Sequence, residues 1–419
     1  MKESRILEFK ESMTSSFLKT VSAYANYSTG EIIFGICDDG KVKGVENPDE
    51  LCLDIENKIN DNIVPVPFYS LEIDEKQSTV RLIVQEGLHK PYLYKAKAYR
   101  RNDTATIEAD RLELSRLILE GENISFEELP TKQENLTFEI LKEKLDERLH
   151  LQNFGRDTLI TLDLFKEESG INNAGELLAD KNSFCGIDII RFGDSINIIL
   201  DRAILEKQSI LKDYDDAIEM FRKYYQYEQI KGAYRERIEL VPEAAFREVV
   251  ANALVHRTWD VNTHINISMF PDKIEIVSPG GLPKGMHEEE YYSGGISIPG
   301  NRIIANIFLR LQMIERFGTG VKRIREAYEN SKIKPIFEIR DNSIKVVLPV
   351  ISECNNLTVD EEKIYNIIKG RTVSSSVLSE TTGFGKTKVV QILNKLETNG
   401  YIRKIGTGRG TKYIADNVA

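Results

Sequence analysis

Arg247-Glu248-Val249-Val250-Ala251-Asn252-Ala253-Leu254-Val255-His256-Arg257 decides how the centre of this chain is read. With Phe246 just ahead, the apolar residues Phe246, Val249, Val250, Ala253 and Leu254 fall at the i, i+3, i+4, i+7 and i+8 positions. That spacing predicts an amphipathic helix with a buried stripe. Glu248 and Asn252, four apart, share a different face, with His256 one turn further along its flank. A carboxylate and a carboxamide so placed can work together, the first as base for a water molecule and the second as an oxygen ligand to Mg²⁺. A solvated polar face would carry the same residues, so the pair gains its meaning only from elements further along the chain.

Two later stretches supply that meaning. Ile274-Glu275-Ile276-Val277 reads as a strand that runs into Ser278-Pro279-Gly280-Gly281-Leu282-Pro283, a turn whose paired glycines let a ligand approach the backbone closely. Glu315-Arg316-Phe317-Gly318-Thr319-Gly320-Val321 then opens a helix over Lys322 to Tyr328. The free N–H groups and dipole at such a helix start favour a phosphate, although a plain helix-start turn has the same composition.

Residues 247 to 257, 276 to 283, Gly300-Asn301-Arg302 and 314 to 324, taken in this order, resemble the ATPase superfamily of gyrase B, Hsp-type chaperones, histidine kinases and mismatch-repair proteins. The likeness is to a divergent branch found in bacterial helicase-like and regulator proteins, and it spans about a hundred residues. It implies ATP and Mg²⁺ as cofactors, Glu248 as the ATPase base and Asn252 as the magnesium ligand. It places Gly318, Thr319 and Gly320 in the phosphate loop, with His256, Gly280, Gly281, Asn301 and Arg302 as further nucleotide-binding positions. Members with firm ATPase activity carry an aspartate just before the glycine turn, where this chain has Ser278 and Pro279. Binding rather than fast hydrolysis is therefore expected.

Towards the N-terminus, Glu31-Ile32-Ile33-Phe34-Gly35-Ile36 is an apolar run closed by Asp38-Asp39-Gly40-Lys41, and Val42 to Val45 completes an expected hairpin. A short helix pattern precedes it, and strands are expected at Thr79 to Gln85 and Tyr92 to Arg100. Glu3, Glu8, Asp38 and Asp39 are carboxylates of the kind that hold Mg²⁺ or Mn²⁺ for phosphodiester cleavage, and equally a charged chain start and a solvated tip. Lys90, Lys95, Lys97, Arg100 and Arg101, interleaved with Tyr92, Tyr94 and Tyr99, suit a phosphate backbone with stacked bases, so RNA or single-stranded nucleic acid is an expected partner there. A plain edge strand with exposed lysines has the same charges.

Residues 7 to 11, 19 to 36 and 38 to 45 resemble the Schlafen AlbA-type domain, over roughly the first 115 residues. In bacterial relatives that resemblance implies DNA binding or a place in a transcriptional regulator. In vertebrate Schlafens it implies an RNA nuclease using two glutamates five apart and an aspartate, a spacing that Glu3 and Glu8 share, with Asp38 or Asp39 as the third carboxylate.

At the other end, Asp360 to Ile368, Val377 to Thr382 and Lys386 to Leu396 read as three helices, the last buried through Val389, Val390, Leu393 and Leu396. Gly383-Phe384-Gly385 makes the turn before it, and Tyr401-Ile402-Arg403 with Lys412-Tyr413-Ile414 gives two strands. The pattern resembles the winged-helix family, which implies duplex DNA as partner, although winged helices also serve as protein-interaction modules. Thr387, Lys388, Gln391 and Lys395 are the expected reading residues, with Arg403, Lys404, Arg409 and Lys412 around the glycine-rich tip Gly406 to Gly410.

Bulk properties agree with this division. From Leu357 onward there are ten Lys or Arg against six Asp or Glu, while the whole chain carries a net charge of −10, so a basic tail succeeds an acidic body. The 419 residues exceed what one core usually serves and predict three or four domains. No uncharged apolar run of about 18 residues occurs, and the charged start Met1-Lys2-Glu3-Ser4-Arg5 has no signal-like segment behind it. No membrane partner and a cytoplasmic location are expected. Cys37, Cys52, Cys185 and Cys354 form no CxxC pair and are expected as buried small residues.

The expected architecture is an α+β multidomain chain. A Schlafen AlbA-type α/β domain covers 1–118, a connector of helices and strands 119–237, a two-layer α/β ATP-binding sandwich 238–350, and a winged helix-turn-helix 357–416, with the polar stretch 352–356 as linker. The expected function is an ATP-responsive, DNA-binding transcriptional regulator, as a homo-oligomer reading paired half-sites. Two alternatives stay open: a Schlafen-type metal-dependent nuclease effector gated by ATP, with phage defence as its setting, and an interaction scaffold with a degenerate nucleotide fold.

Overall fold

The computed structural model describes residues 2–151, 153–231, 234–283, 285–294, 298–315, 318–351, 358–398, 401–406 and 408–415. The expected linker at 352–356, with Cys354, lies outside them, as do Arg316, Phe317 and Thr407. The chain divides into two units, Met1–Leu129 and Pro130–Ala419.

In the first unit Phe17, Val21, Tyr24 and Ala25 recur at helical spacing and are buried together, which sets helix α1 (Phe17–Tyr27) on a sheet. The sheet runs β1 (Leu7–Lys10), β2 (Gly30–Phe34), β4 (Thr79–Val84), β3 (Tyr69–Asp74), with β1 parallel to β2 and the other pairs antiparallel. Phe17 meets Phe34 edge-on at 5.5 Å between ring centroids. Helix α2 (Pro48–Asn62) buries Ile55 and Ile59 in the same core. The expected hairpin from β2 into Val42–Val45 does not form as a ladder. Lys43 and Gly44 both donate to the Gly35 carbonyl and Val45 donates to that of Ser78, while β2 spends its edges on β1 and β4.

The segment expected as a single strand over Tyr92 to Arg100 is broken by left-handed Lys95 and Ala96, and resumes as β5 (Tyr99–Asn102) paired with β6 (Ala105–Glu108). The polar stretch 119–137 begins within a helix and ends, past the boundary between the units, in residues 131–137, which form no helix or strand. Helix α3 (Arg111–Glu122) starts on a capping box formed by Asp110 and Glu113, and Glu127 is fully buried.

The second unit is built on a six-stranded sheet. Its order is β8 (Ile199–Gln208), β7 (Lys181–Phe192), β11 (Ile265–Met269), β12 (Lys273–Pro279), β14 (Ser343–Pro349), β13 (Ile336–Arg340). Only β7 and β11 run parallel. The sheet therefore spans the expected boundary at 237/238, because β7 and β8, expected in a separate connector, extend the strands of the central module. Helix α4 (Ile210–Tyr225) and helix α5 (Glu243–His256) pack through Phe221 and Phe246, whose rings stack at 4.4 Å. Between them in sequence comes an antiparallel ribbon of β9 (Gln226–Lys231) and β10 (Tyr234–Glu239).

The C-terminal stretch forms three helices, α8 (Val359–Ile368), α9 (Ser375–Thr382) and α10 (Lys386–Thr398), then an antiparallel pair, β15 (Ile402–Ile405) and β16 (Lys412–Ala415). Its core holds Val389, Ile392, Leu393 and Leu396. Val390, expected inside, is exposed, and Ile392 takes the buried place instead. Cys37, Cys52 and Cys185 are half-buried free thiols, not the fully buried residues expected. Among the described residues, no helix is long and apolar enough to cross a membrane.

Asp213 of α4 is buried beneath the sheet, where a side chain on Gly186 would strike its Oδ2 at 2.1 Å. Burial pushes its carboxyl up to about 7, against a smaller opposite pull from the Gln208 amide. An acid whose folded pKa is raised is tolerated while protonated, so stability is full below the unfolded value of 3.8 and is lost as pH rises through about 7. Asp213→Asn should therefore stabilise the protein at about pH 8 by on the order of 2–4 kcal/mol and by far less near pH 4, as read by denaturant unfolding at both values.

Candidate functional site

Helix α5 carries its expected apolar stripe inward, with Phe246, Val249, Val250, Ala253 and Leu254 all buried. The same rotation places Glu248 and Asn252 side by side on another face, where Asn252 Nδ2 donates to Glu248 Oε1 at 3.2 Å. Over this pair sits the start of helix α7 (Gly320–Ala327), which packs on α5. A β-carbon on Gly320 would lie 2.5 Å from Glu248 Oε1 and 2.8 Å from Asn252 Nδ2, so a side chain there would have to displace the pair on which the turn rests. Gly318, just before, has the left-handed φ of +60°. The structure thus brings Glu248, Asn252, Gly318, Thr319 and Gly320 to one place.

Burial pushes the Glu248 carboxyl above the usual carboxylate range, while Asn252, Arg323 and Arg247 pull the other way. A partly desolvated carboxylate is the more basic for it. Arg323, one turn into α7, has Nη1 3.9 Å from Glu248 Oε2 and also pairs with Glu315. Sequence reading passed over this arginine, although its place three residues after Gly320 is the signal that could have found it. His256 closes the helix, and burial pushes its imidazole down to about 4, leaving it neutral at pH 7.

Other expected nucleotide residues serve the fold. The space beside Gly280 is filled by Thr258, whose Oγ1 lies 2.3 Å from where a β-carbon would be, and that beside Gly281 by the Asp341 carbonyl at 2.4 Å. The paired glycines thus admit the chain itself. Asn301 is buried, and its Nδ2 donates to the carbonyls of Val255 and Arg257, both at 2.8 Å, satisfying acceptors that the end of α5 leaves open. Arg302 is exposed at the start of helix α6 (Arg302–Arg310), which comes directly after Asn301. Ser278, standing near where active relatives carry an aspartate, donates its hydroxyl to the Ala253 carbonyl of α5 at 3.2 Å.

In the first unit Glu8 is buried and pairs with Arg101, with Lys10 at 2.6 Å and with the Thr20 hydroxyl at 2.7 Å. Glu3 accepts the backbone N–H of Phe9 at 2.8 Å. Asp38 is exposed at the turn, and Asp39 pairs with Lys41 at 3.1 Å. Among the described residues, Glu3, Glu8, Asp38 and Asp39 are not gathered as a metal-binding group. The expected nucleic-acid track is only partly on the surface, with Lys95 and Lys97 exposed and Lys90 and Arg101 buried. Lys90 is buried between Glu86 and Glu120, Lys97 holds Glu108, Arg100 holds Glu113, and Tyr92, Tyr94 and Tyr99 lie in the core. Carboxylates distant in sequence neutralise these cations, which no local reading of 90–101 reveals.

In the C-terminal stretch Thr387, Lys388, Gln391, Lys395, Arg403, Lys404 and Lys412 are exposed. Two of these cations are already engaged, Lys388 with Asp360 and Lys395 with Glu361, both at 2.6 Å. Lys388 also lies 4.3 Å from the Phe384 ring centroid. Arg409 falls in a single turn at Gly408–Gly410.

Comparison with known proteins finds one family model in each of the two units. Residues 3–110 match the family model described as Schlafen, AlbA_2. Residues 262–348 match that of the HATPase_c_4 family, described as "Putative ATP-dependent DNA helicase recG C-terminal". The chain carries an AlbA_2 domain and an ATPase-like HATPase_c_4 domain. The HATPase_c_4 match runs from just before β11 into β14 and includes Gly320, whereas Glu248 and Asn252 lie before it and meet it in space. No curated protein matches the chain. Among solved structures, the DIP2311 protein from Corynebacterium diphtheriae is 17% identical, over 99% of this chain and 92% of that one, with a TM-score of 0.48. The N-terminal domain of a "Putative ATP-dependent DNA Helicase RecG-related Protein" from Nitrosomonas europaea is 22% identical, over 26% of this chain and 83% of that one, with a TM-score of 0.19.

Glu8→Gln leaves Arg101 buried with its charge poorly matched, and removing one partner of such a pair costs about 3–5 kcal/mol. The variant should unfold at markedly lower denaturant than the native chain, as followed by circular dichroism, whether or not any cleavage chemistry depends on Glu8.

Proposed function

We propose that this protein is a nucleotide-responsive DNA-binding regulator. ATP with Mg²⁺, held at Glu248, Asn252 and the Gly318–Gly320 turn, governs duplex DNA binding by the C-terminal stretch, read as a winged helix. The observation that carries the reading is the seating of Gly320 directly on the Glu248–Asn252 pair, which joins a helix start to a carboxylate and a carboxamide as a triphosphate with its cation requires. The HATPase_c_4 match supports the nucleotide, and the AlbA_2 match supports work on nucleic acid.

The residues fit the phosphate and metal end of the ligand. Asn252 spends its Nδ2 on Glu248, leaving Oδ1 as the atom for the cation, while the half-buried Arg323 offers positive charge beside them. Glu248, its basicity raised by burial, is the group to take a proton from water. Bound ATP would supply the phosphoanhydride, whose charge the backbone N–H groups at the start of α7 and Arg323 are placed to balance. Ser278, tied to the Ala253 carbonyl, brings no carboxylate to the base-recognition end, so binding outweighs turnover. A homo-oligomer, with its paired copies of the C-terminal stretch, suits half-sites on duplex DNA.

Titration calorimetry should detect magnesium-dependent ATP binding to the native chain and at least a tenfold loss in Asn252→Ala. Undetectable binding to the native chain would sink the reading. For DNA, Lys404→Ala should weaken duplex binding without changing sequence preference and should lower the salt slope by about 1, as expected for one lost phosphate contact. Anisotropy titrations over a salt series give both quantities, and an unchanged slope would argue for a protein partner at the C-terminal stretch instead.

A further inference from the structure

The six-stranded sheet brings a thiol, a carboxylate and an imidazole together at its β8 edge. Cys185 on β7 stands opposite Glu206 on β8, and His264 immediately precedes β11, whose Ile265 lies beside Ile187 of β7. One ligand atom from each lies within 4.8 Å of the others, the single group of this kind among the described residues. His264 Nε2 lies 3.0 Å from Glu206 Oε2, and Cys185 Sγ donates to Asn262 Oδ1 at 3.1 Å. The β7–β8 ladder shifts register on both sides of Cys185, an irregularity of the sort that re-aims a side chain.

An independent feature holds this arrangement in place. Arg257 is fully buried, and its guanidinium donates to the carbonyls of Cys185 at 3.0 Å and Gly186 at 3.3 Å. It also donates to those of Val261 and Thr263, while stacking on Trp259 at 4.0 Å. One buried side chain thus fixes the backbone at Cys185 and on the approach to His264. Burying a guanidinium is costly unless its donors are used, and here Nη1 and Nη2 are spent on the backbone that carries two of the three ligands, while Nε has no hydrogen-bond partner.

We propose that Cys185, Glu206 and His264 form a binding site for a borderline divalent transition-metal ion, Zn²⁺ foremost, separate from the nucleotide site. One sulfur, one ring nitrogen and one carboxylate oxygen make the donor set of a zinc site with three protein ligands and a fourth position open to water. The His264 and Glu206 side chains keep 25% and 32% of their exposure, which leaves that position and an entry path. Metal–ligand bonds of about 2.0–2.3 Å put tetrahedral donors roughly 3.3–3.6 Å apart. The His264–Glu206 contact need only open by a few tenths of an ångström, and the rest lies within side-chain rotation.

Binding takes Cys185 as thiolate, its proton passing to solvent, and His264 as neutral imidazole. Thiolate and carboxylate together balance the charge of the ion. Lys207, 3.5 Å from Glu206 Oε1, leaves Oε2 as the oxygen that faces His264. Mg²⁺ prefers oxygen ligands alone and is not expected here. Because the ligands come from β8, β7 and the lead-in to β11, the ion clips the sheet edge together.

The test uses the full chain, stripped with a chelator and titrated with Co²⁺ as the probe. One equivalent should give the thiolate-to-cobalt charge-transfer absorption and tetrahedral d–d bands, lost in Cys185→Ser and His264→Ala and retained in Cys37→Ser and Cys52→Ser. No such absorption in the native chain, or its survival in Cys185→Ser, overturns the proposal. Should the variants fail to fold, the native chain still decides. Zn²⁺ should slow alkylation of Cys185 at least tenfold while leaving Cys37 and Cys52 unchanged by peptide mapping, and equal rates with and without Zn²⁺ refute the site.

Discussion

The Arg257 guanidinium is the constraint on which the second unit depends. It stands one residue past α5, and its donors reach backbone carbonyls of β7 and of the loop that enters β11. Those two strands form the parallel pair of the sheet, so one buried cation joins α5 to the strands on either side of a long chain excursion. Burial lowers its pKa to about 10, which still leaves it charged at neutral pH. The position of Glu248 and Asn252 relative to the sheet therefore rests on an interaction made just beyond the end of their own helix.

Two kinds of contact build the candidate site, and they differ in origin. The carboxylate–carboxamide pair is local, set by helical spacing within α5. The turn that covers it comes from about seventy residues further on and is held by the absence of a side chain at Gly320. Asn301 adds a third tie, closing the end of α5 with its amide.

Local pattern made some of this legible. The stripe of α5, the strand at 79–84 and the three C-terminal helices arise from periodicity and turn residues within short windows. What escaped is non-local. Strand β2 pairs in parallel with β1, and no turn signal marks such a partner. The cations at 90–101 read as a surface track because the glutamates that neutralise three of them lie at 8, 108 and 113. Gly280 and Gly281 advertise close approach correctly, but sequence cannot say that Thr258 and Asp341 are what approaches. Val390 and Ile392 exchanged places because one residue on a helix turns a side chain by roughly 100°.

The buried Glu8–Arg101 pair has a further consequence for how this chain varies over time. Ninety-three residues separate the two positions, yet either change alone strands a charge in the core, whereas replacing both with apolar residues of similar volume costs little. The effects of the two substitutions are thus strongly non-additive. Descent should pass through this site by paired replacement, so that among diverged sequences the identities at 8 and 101 change in step.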